Sequence, residues 1–324
     1  MIQDVLANYG LARSVRITQL GNAGGFSGAR ITLIEGDTGK YCLRQWPTPH
    51  PTQQRLDWIH RNLLHAGVNG CPVPVPIRTS QGDTFSKHNG HLWELSPWMP
   101  GSADFEKAPN SKRLLNAVQK LAEFHQSTAQ VQLDFGPSKN MISRVEQLTR
   151  FPAEMQSMED QALQHPSRWI ASLYGQLRNC AELAQPCLYE LSQLATQPMV
   201  LQPVIRDIWH DHILFTGNEV SGIVDFGAMQ MDNVALDLAR MLGSLVGDVN
   251  DPAGLRALEH YGSFRPLQDT ERQSMQWLDR SAVLLGSLNW LRWIVLEERN
   301  YDDWQAVQRR VEILSRRLEQ MSHE

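Results

Sequence analysis

The chain opens with a short apolar cluster, and Asp4–Tyr9 reads as a leading helix. From Ser14 to Leu20 apolar and polar residues alternate (Val15, Ile17, Leu20), the period of a half-buried strand. A glycine-rich run, Gly21–Gly28, separates it from a second strand at Ala29–Glu35. An Asp37-Thr38-Gly39 turn leads to a third strand, Lys40–Trp46. Leu56, Ile59, Leu63 and Leu64 then recur at helical spacing within Thr52–Ala66. The prolines of Cys71–Pro76 hold their predecessors extended, and Asn89-Gly90 turns a hairpin between Thr84–His88 and Gly90–Leu95.

Beyond Pro97, Pro100 and Gly101 the pattern becomes mainly helical. Ser111–Ser127 is amphipathic with Asn110 or Ser111 as its cap, and helices are expected over Asn140–Met158 and Ser167–Thr196, the latter long and open to a break. Two short strands, Ile213–Phe215 and Val220–Val224, flank a Thr216–Glu219 turn in which Gly217 and Asn218 tolerate positive φ. Helices near Asp232–Val246, Ala253–Tyr261, Asp269–Glu298 and Trp304–Glu319 close the chain. A strand-rich first part and a helical second part predict an α+β protein in two lobes, 1–97 and 98–324.

At 324 residues and 42% hydrophobic content, each lobe has material for its own core. A formal charge of -5 gives no basic footprint for nucleic acid. Cys42, Cys71, Cys180 and Cys187 lack metal-ligand spacing and read as reduced thiols of a cytoplasmic protein. No basic-then-apolar leader is present, and no apolar run approaches the roughly 20 residues of a membrane span.

The chemistry concentrates between Val204 and Gly227. Asp207 lies in a loop before the short hairpin, and Asp225-Phe226-Gly227 follows its second strand. This segment resembles the catalytic loop and metal-binding strand of the aminoglycoside phosphotransferase/choline kinase-like family, relatives of the protein kinases. The resemblance implies a bilobal protein-kinase-like fold, a small antiparallel-sheet N-lobe and a larger helical C-lobe. Asp207 matches the family's catalytic Asp and Asp225 its metal-binding Asp. Arg206 resembles the Arg of the protein-kinase H-R-D loop and reads as an orienting residue, an acceptor-site charge or a surface residue. Ile205 stands where the family has His, and His212 where it has a metal-binding Asn. The glycine-rich turn takes the place of the phosphate-covering loop, with Gly24, Gly25, Ser27 and Gly28 as candidate contacts. Arg44 takes the place of the phosphate-holding Lys, its planar fork replacing a point charge. Asp57, the only carboxylate of the helix that follows, is the expected partner of that base. Ser96–Met99 resembles the hinge, which makes Ser96, Trp98 and Met99 candidate adenine contacts. Asp237, in a following Asp-Leu-Ala-Arg, is expected to support the catalytic loop by accepting backbone N–H groups.

A phosphoryl-transfer site asks for this pair of carboxylates, one on the attacking hydroxyl and one on the metal of the nucleotide. The resemblance therefore implies ATP, Mg2+ or Mn2+, and a small hydroxylated acceptor: an aminoglycoside, an amino alcohol, homoserine or a sugar. Imidazole is a poor ligand for magnesium, so three outcomes stand open at position 212. His212 binds a softer metal, one metal site is lost, or the fold persists as a weakly active or inactive binding module. A metal-dependent hydrolase built on Asp207, Asp225 and the neighbouring histidines is the remaining alternative.

Overall fold

The structure is a computed structural model and describes residues 1–11, 15–21, 28–301 and 303–322. Helix α1 (Ile2–Ala7) precedes strands β1 (Arg16–Gly21), β2 (Arg30–Gly36) and β3 (Gly39–Gln45). Helix α2 (Gln53–Val68) is capped by the Thr52 hydroxyl, which accepts from the Arg55 amide. Strands β4 (Ser86–His88) and β5 (His91–Pro97) follow, then α3 (Ser111–Ala129), capped by Asn110. Next come β6 (Asp134–Gly136), α4 (Lys139–Leu163), α5 (Arg168–Asn179), α6 (Ala184–Ala195) and β7 (Met199–Val204). The hairpin of β8 (Ile213–Thr216) and β9 (Glu219–Ile223) leads to β10 (Gln230–Asp232), α7 (Ala235–Leu245), α8 (Pro252–Phe264), α9 (Asp269–Leu291) and α10 (Trp304–Met321).

The chain divides into two compact units. The first comprises Met1–Gln132, Asp207–Gln230 and Ser263–Arg265. Its five-stranded sheet has the order β1-β2-β3-β5-β4, with antiparallel pairings throughout. Period-two alternation sorts the residues of β3 and β5 between faces. Leu43 and Leu95, directly opposite each other, join Val5, Leu6, Ile34 and Trp93 in a core under α1. Cys42 and Arg44 fall on the other face, opposite Ser96 and Glu94. In the β8–β9 turn Gly217 adopts φ 63°; Asn218, expected to share that conformation, does not.

The second unit comprises Leu133–Arg206, Met231–Gly262 and Pro266–Glu324. Helices α4, α6, α7 and α9 pack on one another, with α5 and α10 against α9. The expected long helix over 167–196 is broken at Cys180 by a 3₁₀ turn, Ala181–Leu183. Strand β7 was not legible: its Met-Val-Leu-Gln-Pro-Val run is almost wholly buried and shows no alternation. No helix among the described residues is long and apolar enough to cross a membrane.

Candidate active site

The register of β3 and β5 places Arg44 directly across from Glu94, so the two share a face. Arg44 Nε lies 3.5 Å from Glu94 Oε1, and Arg44 Nη1 lies 3.1 Å from Asp225 Oδ1. The guanidinium also rests 4.8 Å from the centroid of the Trp46 ring. Glu94 is in turn gripped from behind. His60 Nε2–H donates to its Oε2 at 2.7 Å, the Trp46 indole donates to the same oxygen at 3.1 Å, and His60 Nδ1 meets the Thr84 hydroxyl at 2.8 Å. Burial alone would raise the Glu94 carboxyl. The hydrogen bond and charge of His60, the charge of Arg44 and the Trp46 hydrogen bond outweigh it and hold the group below the usual glutamate range.

This geometry corrects the expected partner of Arg44. Asp57 is exposed on α2, because Leu56, Ile59, His60 and Leu63 form the buried stripe and position 57 lies off it. The helix contributes a histidine at position 60, and the carboxylate comes from β5. Sequence reasoning missed Glu94 and His60. The signal was a charge in an otherwise apolar strand, Leu92-Trp93-Glu94-Leu95, behind a two-residue turn that fixes its register.

Asp225 has φ 64°, a conformation unfavourable for a residue with a Cβ. Its neighbours hold it there. The Val224 amide donates to the His212 carbonyl, and the Phe226 ring lies 5.5 Å from that of Phe124 on α3. Gly227 passes Trp46 so closely that a Cβ would sit 3.0 Å from the indole. His212 Nδ1 lies 2.6 Å from the Asp207 carbonyl oxygen, and the Trp209 indole N–H donates to His212 Nε2 at 3.0 Å. A carbonyl only accepts and an indole only donates, so these partners define the neutral ring protonated on Nδ1. His212 Nε2 is 3.7 Å from Asp225 Oδ2. Among the described residues, no group of three or more His, Cys, Asp or Glu side chains is arranged to hold a metal ion.

A cavity of about 290 Å³ connects these elements. Of the expected site residues Arg44, Ser96, Trp98, Met99 and Asp225 line it, while Asp57, Gly28, Asp207 and His212 do not. Gly24, Gly25 and Ser27 lie outside the described residues. Ile31, Cys42, Pro74 and Pro76 give the cavity an apolar body, and burial pushes the Cys42 thiol up to about 11. At the hinge the Trp98 amide donates to the Lys40 carbonyl at 2.9 Å. Ser102 and Phe215 exchange backbone hydrogen bonds at 2.9 and 3.0 Å, tying the hinge to the β8–β9 hairpin. Gly101 (φ 95°) permits that approach, since a Cβ there would meet the Phe215 carbonyl oxygen at 2.7 Å.

Within the second unit, Asp237 binds the backbone just ahead of Asp207, the hydrogen bonding expected of it. Its carboxylate accepts from the Ile205 amide at 2.7 Å and the Arg206 amide at 2.6 Å. Arg206 itself has φ 69° and precedes Asp207 in the chain. Asp237→Ala removes the acceptor of two amides in a fully buried position. It is expected to cost about 2–4 kcal/mol of stability, the penalty of leaving such donors unpaired, measured by chemical denaturation beside a fall in turnover.

A five-stranded sheet, a hinge, and a hairpin presenting Asp225 beside Arg44 define a protein-kinase-like phosphotransferase. Residues 18–278 match the model of the phosphotransferase enzyme family, and the chain belongs to that family as a small-molecule kinase. It is 34% identical over 263 residues to a homoserine kinase of Methylocella silvestris, covering 79% of this chain and 74% of that one. Among solved structures it resembles a spectinomycin phosphotransferase in complex with ADP and spectinomycin, with TM-score 0.65, 12% identity, and 94% and 93% of the two chains covered. It also resembles an amicoumacin kinase in complex with AMP-PNP, Ca2+ and amicoumacin, with TM-score 0.63, 14% identity, and 99% and 93% covered. At these identities the structural likenesses establish the fold.

Proposed function

We propose that this chain transfers the γ-phosphoryl group of ATP to the hydroxyl of a small molecule, with homoserine the first acceptor to test. The observation that carries this reading is the cavity, whose lining includes both the Ser96–Met99 segment and the Arg44–Asp225 pair. Its apolar body suits a purine ring. Pro97 has no N–H and the Trp98 amide is engaged with Lys40, which leaves the Met99 amide as the hinge donor toward the base. Arg44 would bind phosphate oxygens through its fork, and Asp225 would offer carboxylate oxygen to a divalent cation. One carboxylate suffices for magnesium when phosphates and water complete its shell. The cation, when bound, would neutralise charge on the β and γ phosphates.

In this reading His212 is a support rather than a ligand. Both its nitrogens are engaged, one ordering the backbone of Asp207 and the other held by Trp209. Asp207 orients the acceptor hydroxyl and takes its proton as the oxygen attacks in line. Arg206, beside it, is a candidate for the acceptor's own charge. Homoserine enters because a relative identical at 34% of 263 aligned residues bears that name.

The test is ADP formation by the purified protein with ATP and magnesium, with and without homoserine. Homoserine-dependent ADP release and a phosphorylated product are expected. Nucleotide binding without product from homoserine or a panel of amino alcohols and sugars would overturn the assignment of activity.

A further inference from the structure

Four groups form a row at the cavity, Thr84, His60, Glu94 and Arg44, the last three in its lining. Glu94 divides its two oxygens between them. Oε2 receives both the His60 ring N–H and the Trp46 indole, and Oε1 is left toward Arg44 Nε. The His60 side chain is 2% exposed, so its ring is walled in. Arg44 Nε is buried and makes no hydrogen bond, its contact with Glu94 being charge to charge. Glu94 thus engages the guanidinium on its Nε side, and Nη1 is directed to Asp225.

We propose that Glu94, clamped by His60, is the positioning residue that sets Arg44 for the phosphates of the nucleotide, in place of an acid on α2. This rests on the kinase reading of the cavity. Charge arithmetic supports it. Two carboxylates face one guanidinium; Glu94 is also paired with His60, whereas Asp225 at Nη1 is the carboxylate that opposes phosphate. A cation held by Asp225 would offset that carboxylate and leave Nη1 for phosphate, with Glu94 as the anion that fixes the arginine. The two hydrogen bonds on Oε2 hold Glu94 in the cavity wall and turn that oxygen toward His60 and Trp46. A carboxylate on the flexible side chain of a helix would need the helix itself to hold its place; here the cross-strand register does so.

The experiment is calorimetric titration of ATP with magnesium into wild type, Glu94→Gln, His60→Gln and the double variant His60→Glu/Glu94→Gln, with KM for ATP and for the acceptor measured on each. Glu94→Gln is expected to weaken ATP roughly 10- to 100-fold, the range for one charge-assisted interaction, and to raise the KM for ATP without moving that of the acceptor. The double variant restores a carboxylate from the helix side and is expected to recover part of the loss. His60→Gln keeps a donor toward Oε2 and should show a smaller loss. It provides the reading if Glu94→Gln does not fold. Wild-type ATP affinity in a folded Glu94→Gln, or in His60→Gln where it stands in, overturns the proposal, as does a double variant no better than Glu94→Gln. Absence of ATP binding by the wild type would instead defeat the kinase reading itself.

Discussion

Asp207→Asn is expected to lower kcat by about 10²–10⁴-fold, the range for loss of a positioned proton acceptor, with ATP affinity unchanged. The substitution preserves shape and removes the carboxylate's charge and its ability to accept a proton. The carbonyl of Asp207, not its carboxylate, meets His212, and Asp237 holds the two amides that precede it. Nothing that lines the cavity is altered. Steady-state kinetics and an ATP titration on one preparation give both readouts. Undiminished turnover would remove Asp207 from the chemistry. A parallel loss of ATP binding would mean that the loop, and not the proton, had been disturbed.

Asp225→Ala should separate nucleotide from metal by sign. With magnesium, ATP affinity is expected to fall by roughly two orders of magnitude, since the carboxylate proposed to hold the cation is gone. Without metal the effect should reverse. Asp225 occupies Arg44 Nη1 at 3.1 Å, so its removal frees the guanidinium and deletes a negative charge near the phosphates. Metal-free ATP should then bind at least as tightly as it does to the wild type. Titrations in magnesium and in a chelator test both arms. Equal losses in the two conditions would indicate local collapse around residue 225, where the left-handed backbone depends on its neighbours.

The sequence carried the fold and the two-carboxylate segment because both are local patterns. Alternation announced β1, the turns around them β2 and β3, and helical spacing α2 and α3, while Asp207 and Asp225 lie within one short stretch of chain. The partner of Arg44 was not legible in that way. It depends on which residue of β5 faces position 44, a register that joins residues 50 apart, and on the rotation of α2, which turns Asp57 outward and His60 inward. The two nitrogens of His212 pose the same difficulty. Their partners, Asp207 and Trp209, are near in sequence, but only the turn at His210–His212 brings the imidazole onto both. Strand β7 failed for another reason. A buried strand has no polar face to mark its period.

An arginine at position 44 also changes how this enzyme can be found. Reagents that acylate the amine beside a bound nucleotide's phosphates depend on a lysine that loses its proton, and a guanidinium stays protonated and non-nucleophilic. Profiling with such acyl-phosphate probes should pass over this nucleotide site even in a cell that makes the protein in quantity. Among the described residues lining the cavity, the thiol of Cys42 is the available nucleophile. With its proton held up to about 11, it will favour slow, proximity-driven electrophiles over fast thiolate reagents.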